Sequence, residues 1–186
     1  MSEVLRTLEV VSKMFEELRV HYAVMGGIAV RAHGLPRPTY DVDFVISVQH
    51  DQLTEIFEKL AELGFSIPEI YRQGWVDRVA EMPLIKVETY IDGRAVAVDI
   101  FLAETSFLQS VLSRTQRAIV EGLELSLVSA EDLILLKVLA NRLRDRADIA
   151  DVRLVQGTLD ENYLQHWAKQ LDIEQRLADV WRETQP

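Results

Sequence analysis

The sequence predicts a mixed α/β domain followed by a helical subdomain, and three observations carry that reading. Two short apolar runs, "HYAVM" (21–25) and "DVDFVIS" (41–47), have the length and pattern of strands. The stretch "PLIKVETYIDGRAVAVDIFL" (83–102) reads as a β-hairpin around Asp92-Gly93, a pair suited to a two-residue type I′ turn with positive φ at both positions. From Ser129 onward the apolar residues recur at helical spacing. The division falls there: residues 1–128 form the α/β domain with its N-terminal helix, and residues 129–186 the helical subdomain.

Val4, Leu5, Leu8, Val11, Met14, Phe15 and Leu18 share one helical face, so the chain opens with an amphipathic helix. "HYAVM" is a buried strand closed by Gly26-Gly27, and residues 28–33 make a short helix that Pro36 and Pro38 stop. In "DVDFVIS", Val42, Phe44 and Ile46 point one way and Asp41 and Asp43 the other. A helix with Leu53, Ile56, Phe57, Leu60 and Leu63 on its stripe follows, ended by Gly64. Counting back from Asp92-Gly93 pairs Ile91 with Arg94, Val87 with Val98 and Lys86 with Asp99. One face of that hairpin is apolar, and the other carries Lys86, Glu88, Tyr90, Ala97 and Asp99, so the sheet is expected to be packed on one side and partly open on the other. "AIVEGLELSLV" is a second hairpin. Ser129 with Asp132 resembles a capping box, from which "EDLILLKVLANRLRD" runs as one helix. Thr158 with Glu161 starts another helix, and a last one carries Ile173, Leu177, Val180 and Trp181. Trp75, Trp167 and Trp181 are assigned to the core.

A chain of 186 residues buries enough surface, about 70% of that of the unfolded chain, to fold without staples. It has no cysteine, which excludes disulfides, thiolate zinc sites and a cysteine nucleophile. No apolar run reaches a membrane span and the opening residues lack a signal-peptide pattern, so a cytoplasmic location away from membranes is expected. The net charge of −10 argues against binding long duplex DNA, whose affinity comes from basic surface.

Asp41 and Asp43, at i and i+2 on a strand, point the same way with about 7 Å of backbone between them. That spacing suits two hard cations about 3.5–4 Å apart, as used for in-line phosphoryl displacement, and an all-carboxylate set favours magnesium or manganese over zinc. A solvated strand edge carries the same pattern. Gly26-Gly27, between a strand and a helix, permits close approach of an anion to helix N–H groups; a tight turn uses the same pair. Asp99 interrupts an apolar run, where it is either an ion-pair partner of Lys86 or a ligand. Lys137 sits inside "LILLKVLA", as a functional amine or one snorkelling from a helix edge. His33, Arg37 and Thr39 suit loop anchors, and the Arg37 fork equally suits phosphate. On an unbroken helix Lys137, Asn141, Arg144 and Asp148 form one stripe, with Asp145 beside it.

The segment "GGIAVRAHGLPRPTYDVDF", a glycine pair, thirteen residues and then D-V-D, resembles the polymerase-beta-type nucleotidyltransferases. It is similar in particular to the abortive-infection nucleotidyltransferase toxins of the AbiEii/AbiGii type and their bacterial relatives. "EDLILLKVLANRLRDRADIADV" resembles the helical lysine and aspartate-rich stretch of the same group. The resemblance implies a mixed sheet and assigns nucleotide phosphates to Gly26 and Gly27 and metal ions to Asp41, Asp43 and Asp99. It puts Lys137 at the triphosphate and has Asp145 or Asp148 orient that lysine or the acceptor.

The resulting reading is a magnesium- or manganese-dependent nucleotidyltransferase. It transfers a nucleoside monophosphate from a nucleoside triphosphate to an RNA end, a protein or a small molecule. Asp41, Asp43, Asp99 and Lys137 are the expected catalytic set, and Arg37 and Thr39 join the glycines and Lys137 around the nucleotide. Lys86, Glu88, Asp145 and Asp148 stand behind them. A toxin of this kind has a cognate antitoxin as partner. The rival readings are a binding-only protein of the same fold, such as an antitoxin, and an antibiotic-modifying transferase.

Overall fold

The computed structural model describes residues 2–49, 52–75, 77–79 and 82–184. Among these, seven strands form one sheet: β1 (His21–Met25), β2 (Asp41–Ser47), β3 (Asp77–Val79), β4 (Met82–Ile91), β5 (Arg94–Leu102), β6 (Gln116–Val120) and β7 (Leu123–Leu127). Their order is β3-β4-β5-β2-β1-β7-β6. The β2–β5 and β1–β7 pairs are parallel and the others antiparallel, which makes the sheet mixed. Both hairpin turns hold positive φ at their two central residues, 51° and 78° at Asp92-Gly93 and 50° and 88° at Glu121-Gly122. The I′ geometry therefore sets the β4–β5 register, and Lys86 faces Asp99 as the count from the turn requires.

Helices α1 (Glu3–Glu17) and α3 (Gln52–Glu62) cover one face of the sheet. Ser2 caps α1 by accepting the Leu5 N–H, and its stripe of Leu8, Val11 and Phe15 is fully buried. Phe15, Tyr22 and Phe44 meet with ring centroids 5.2–5.9 Å apart, the edge-rich geometry that aromatic quadrupoles favour. The α3 stripe ends at Leu60: Leu63, expected on it, is exposed, because the chain turns away at Gly64 with φ +84°.

The second face is open over less of its area than the sequence suggests. Ala23, Met25, Val45, Leu84 and Phe101 are buried there with α5 (Ser106–Ser113) and α6 (Ala130–Ala140), while Lys86, Glu88, Tyr90 and Ala97 stay exposed at the β4–β5 end. The sequence reading contains neither α5 nor the short elements α4 (Glu69–Arg72) and β3. Trp75, expected in the core, is 56% exposed and donates to Asp77. Trp167 does pack inward on Phe107, at 5.2 Å between centroids.

From Ser129 the chain is helical. Ser129 caps α6 by accepting the Asp132 N–H, but the Asp132 carboxylate accepts from the Ser129 hydroxyl rather than from the Ser129 backbone N–H. The helix expected to run through residue 145 is broken. Asn141 adopts φ 50°, ψ 38°, its N–H closing on Lys137 O, and a new helix, α7 (Leu143–Gln156), starts beyond it. Asparagine tolerates the left-handed region, so it ends a helix much as glycine does. Helix α8 (Glu161–Gln170) begins two residues later than expected, because Asp160, which accepts the Tyr163 N–H, is the cap in place of Thr158; α9 (Glu174–Glu183) follows. No described helix is long and apolar enough to cross a membrane.

Candidate active site

Across the second face, one cross-strand row runs Lys86–Asp99–Asp43–Met25, through β4, β5, β2 and β1. The parallel β2–β5 pairing puts Asp43 beside Asp99, and the two-residue repeat puts Asp41 on the same side as Asp43. Lys86 Nζ lies 3.8 Å from Asp99 Oδ2. Burial, then Asp41, then Asp99 push the Asp43 carboxyl up to about 7, against the pull of Arg142 and Lys137. Burial also raises Asp99, with Lys86 opposing it. Among the described residues no three histidine or acidic side chains converge on one point tightly enough to hold an ion. The donor set nevertheless fits a hard divalent cation: it consists of carboxylates alone, and their crowding leaves negative charge that a cation would compensate.

The glycine pair opens the first turn of α2 (Gly26–His33), directly after β1. Gly26 has φ +60°, and a Cβ on it would fall 1.9 Å from Asp43 Oδ2; a Cβ on Gly27 would fall 2.3 Å from Thr39 Oγ1. Both glycines are thus needed to admit side chains of this face, whatever else binds there. Thr39 Oγ1 donates to Asp41 Oδ1 at 2.8 Å and orients that carboxylate. Met25 provides no side-chain cap to the first turn of α2, and Gly26 and Gly27 of that turn line the neighbouring space.

That space is a cleft of about 180 Å³. Gly26, Gly27, Arg37, Thr39, Asp41 and Asp43 form one wall, and α6, the break after it and the start of α7 form the other with Lys137, Arg142, Arg144 and Asp145. Asp99, Lys86 and Glu88 are absent from its lining and lie on the adjoining sheet surface. Arg142 and Arg144 were not among the expected site residues. Their signal was the asparagine: a left-handed helix end at Asn141 turns the following residues off the α6 stripe.

Lys137 reaches Asp145 and Asp148 through that break rather than along a continuous stripe. Its Nζ donates to Asp148 Oδ2 at 2.5 Å and to Asp145 Oδ1 at 3.1 Å. Arg37 makes a two-bond fork on the same Asp148, at 2.6 and 2.7 Å. Burial works against the Asp148 charge, yet bonds from Arg37 and Lys137 hold its carboxyl below the usual range. Asp145 also accepts the Arg142 backbone N–H at 3.0 Å and starts α7. Both aspartates are therefore engaged with the lysine. Of the loop anchors, His33 Nε2 meets Val128 O at 2.7 Å.

The family described as "Nucleotidyltransferase of unknown function (DUF6036)" matches residues 2–180, and the chain belongs to it. No curated protein matches. Among solved structures, an antigenic nucleotidyltransferase-like protein from Paracoccidioides brasiliensis is similar over 98% of this chain and 89% of its own, at 23% identity and a TM-score of 0.64. The lincosamide antibiotic adenylyltransferase LnuA, solved with lincomycin bound, is similar over 83% of this chain and 98% of its own, at 17% identity and a TM-score of 0.57. ANT(2")-Ia, solved with adenylyl-2"-tobramycin, matches over 100% of both chains at 12% identity and a TM-score of 0.57. At these identities the likeness shows the nucleotidyltransferase fold.

Proposed function

We propose that the chain is a metal-dependent nucleotidyltransferase that moves a nucleoside monophosphate from a nucleoside triphosphate to an acceptor and releases pyrophosphate. The observation that carries this is the uncompensated carboxylate pair Asp41 and Asp43 beside the open first turn of α2, with Asp99 next in the row. Asp41, Asp43 and Asp99 would hold magnesium or manganese, which when bound offsets phosphate charge and favours an ionised acceptor oxygen. The triphosphate lies against the Gly26–Gly27 N–H groups, where a helix N-terminus favours negative charge. Thr39 fixes the Asp41 carboxylate. An acceptor oxygen forms the new bond to the α-phosphorus while the bond from that phosphorus to the bridging oxygen breaks. The acceptor proton passes to Asp99 and the leaving pyrophosphate takes the bond's electron pair. Asp99 suits this because it faces the open β4–β5 surface rather than the cleft.

The resemblance to the AbiEii/AbiGii-type toxins supports a toxin role with a cognate antitoxin, acting on an RNA end or a protein. A second reading, transfer to a small cationic molecule, is favoured by the net charge of −10. Incubation with each labelled nucleoside triphosphate, magnesium, and total RNA, cell protein or a panel of small molecules tests all of these. Label is expected in one acceptor class. Asp43→Asn should reduce that transfer by at least about 100-fold, by analogy with the loss of one electrostatic contact to a transition state. Near-normal transfer by Asp43→Asn would remove the carboxylate row from the reaction.

A further inference from the structure

We infer that Arg142 and Arg144, at the break between α6 and α7, are the cations that bind the nucleotide's triphosphate, an inference resting on the nucleotidyltransferase reading above. Among the described residues four cationic side chains line the cleft: Arg37, Lys137, Arg142 and Arg144. Two are already neutralised. Arg37 forks onto Asp148, and Lys137 lies between Asp145 and Asp148 with only 8% of its side chain exposed. These two cations and two carboxylates sum to zero charge. A phosphate approaching Lys137 would meet the repulsion of both aspartates and would have to displace hydrogen bonds of 2.5–3.1 Å.

Arg142 and Arg144 are in the opposite condition. Both are exposed, and neither makes an ion pair among the described residues. The Arg142 charge already reaches the acidic row, where it favours the ionised forms of Asp43 and Asp99. A guanidinium presents a planar fork that matches two phosphate oxygens, which an ammonium does not. Across the cleft the first turn of α2 offers its N–H groups, so an anion lodged between them meets donors on both sides. The neutral Lys137 cluster has a separate task. It grips Asp145, whose other oxygen caps the first turn of α7 and so fixes where the two arginines emerge.

The test is equilibrium binding of inorganic triphosphate and of each of the four nucleoside triphosphates. It compares the wild type with Arg142→Gln, Arg144→Gln, the double variant and Arg142→Lys/Arg144→Lys. Each single glutamine variant should weaken binding about tenfold, as for one charge-assisted hydrogen-bonded contact, and the double variant more. The melting temperature should change little, because both side chains are exposed and neither forms an ion pair among the described residues, so only the long-range attraction of Arg142 to Asp43 and Asp99 is lost. The lysine pair should recover part of the affinity, from charge without the fork. A double variant that binds inorganic triphosphate as the wild type does, or that loses affinity only together with melting temperature, overturns the assignment. A wild type that binds none of the five anions overturns the nucleotidyltransferase reading itself, and this assignment with it.

Discussion

The molecule contains two clusters of aspartates that look alike in sequence and differ in kind. Asp41, Asp43 and Asp99 sit side by side on a sheet with one half-exposed lysine at the end of the row. Asp145 and Asp148 sit on α7 with Lys137 and Arg37 wrapped around them. Burial, with like charge beside it, raises the carboxyls of Asp43, to about 7, and of Asp99, whereas pairing with Arg37 and Lys137 lowers Asp148. The lesson is that uncompensated charge marks where a ligand would be stabilising, and compensated charge marks where the fold has already supplied the partner.

The sharpest way to break this comparison is Lys137→Met. If the α7 cluster is a structural ion network, removing its lysine leaves buried Asp145 with no cationic partner and Asp148 with Arg37 alone, and should cost about 3–5 kcal/mol in chemical denaturation. Unchanged stability with lost activity would move Lys137 to the ligand side of the comparison.

The acidic row should show the reverse dependence, in metal-free buffer. With its folded carboxyl raised to about 7, Asp43 is protonated in the folded chain between about pH 4 and 7, where the unfolded chain has released that proton. The folded state then binds more protons, so stability falls as pH rises through that window and levels off above it. Asp43→Asn removes this slope, and its advantage in melting temperature over the wild type should be greatest above pH 7, by several degrees. Parallel melting curves against pH for the two proteins would show that Asp43 carries no such strain.

The smallest effect belongs to Lys86→Met. Lys86 is half exposed and 3.8 Å from Asp99, so its loss should change stability by less than about 1 kcal/mol. Because Lys86 opposes the rise of the Asp99 carboxyl, its removal pushes that carboxyl further up. The acid limb of a transfer rate–pH profile should therefore move to higher pH. A profile that does not move would separate Asp99 from the acceptor proton.

Much of the scaffold was legible because it rests on local rules. Asp92-Gly93 specifies a turn with two positive φ angles, and once it forms, the pairing of Lys86 with Asp99 follows by counting. The apolar stripe of α1 and the alternation of β2 likewise follow from side-chain direction within each element. The glycine pair was visible too, but its structural need, room for the Asp43 and Thr39 side chains, was not.

What the sequence by itself determined, then, is the set of elements that a turn, a stripe or an alternation specifies within about twenty residues, and the donor types those elements carry. Only the tertiary structure decided which charges are cancelled. Arg37 and its partner Asp148 are 111 residues apart, and the β2–β5 pairing that sets Asp43 beside Asp99 joins strands separated by 46 residues of chain between Ser47 and Arg94. The break at Asn141 turned a single stripe into a helix–break–helix arrangement, closing Lys137 on two aspartates and opening Arg142 and Arg144 to the cleft. Local propensity constrains a residue's own backbone, while the partner of a charge depends on where distant segments pack, which no local pattern encodes.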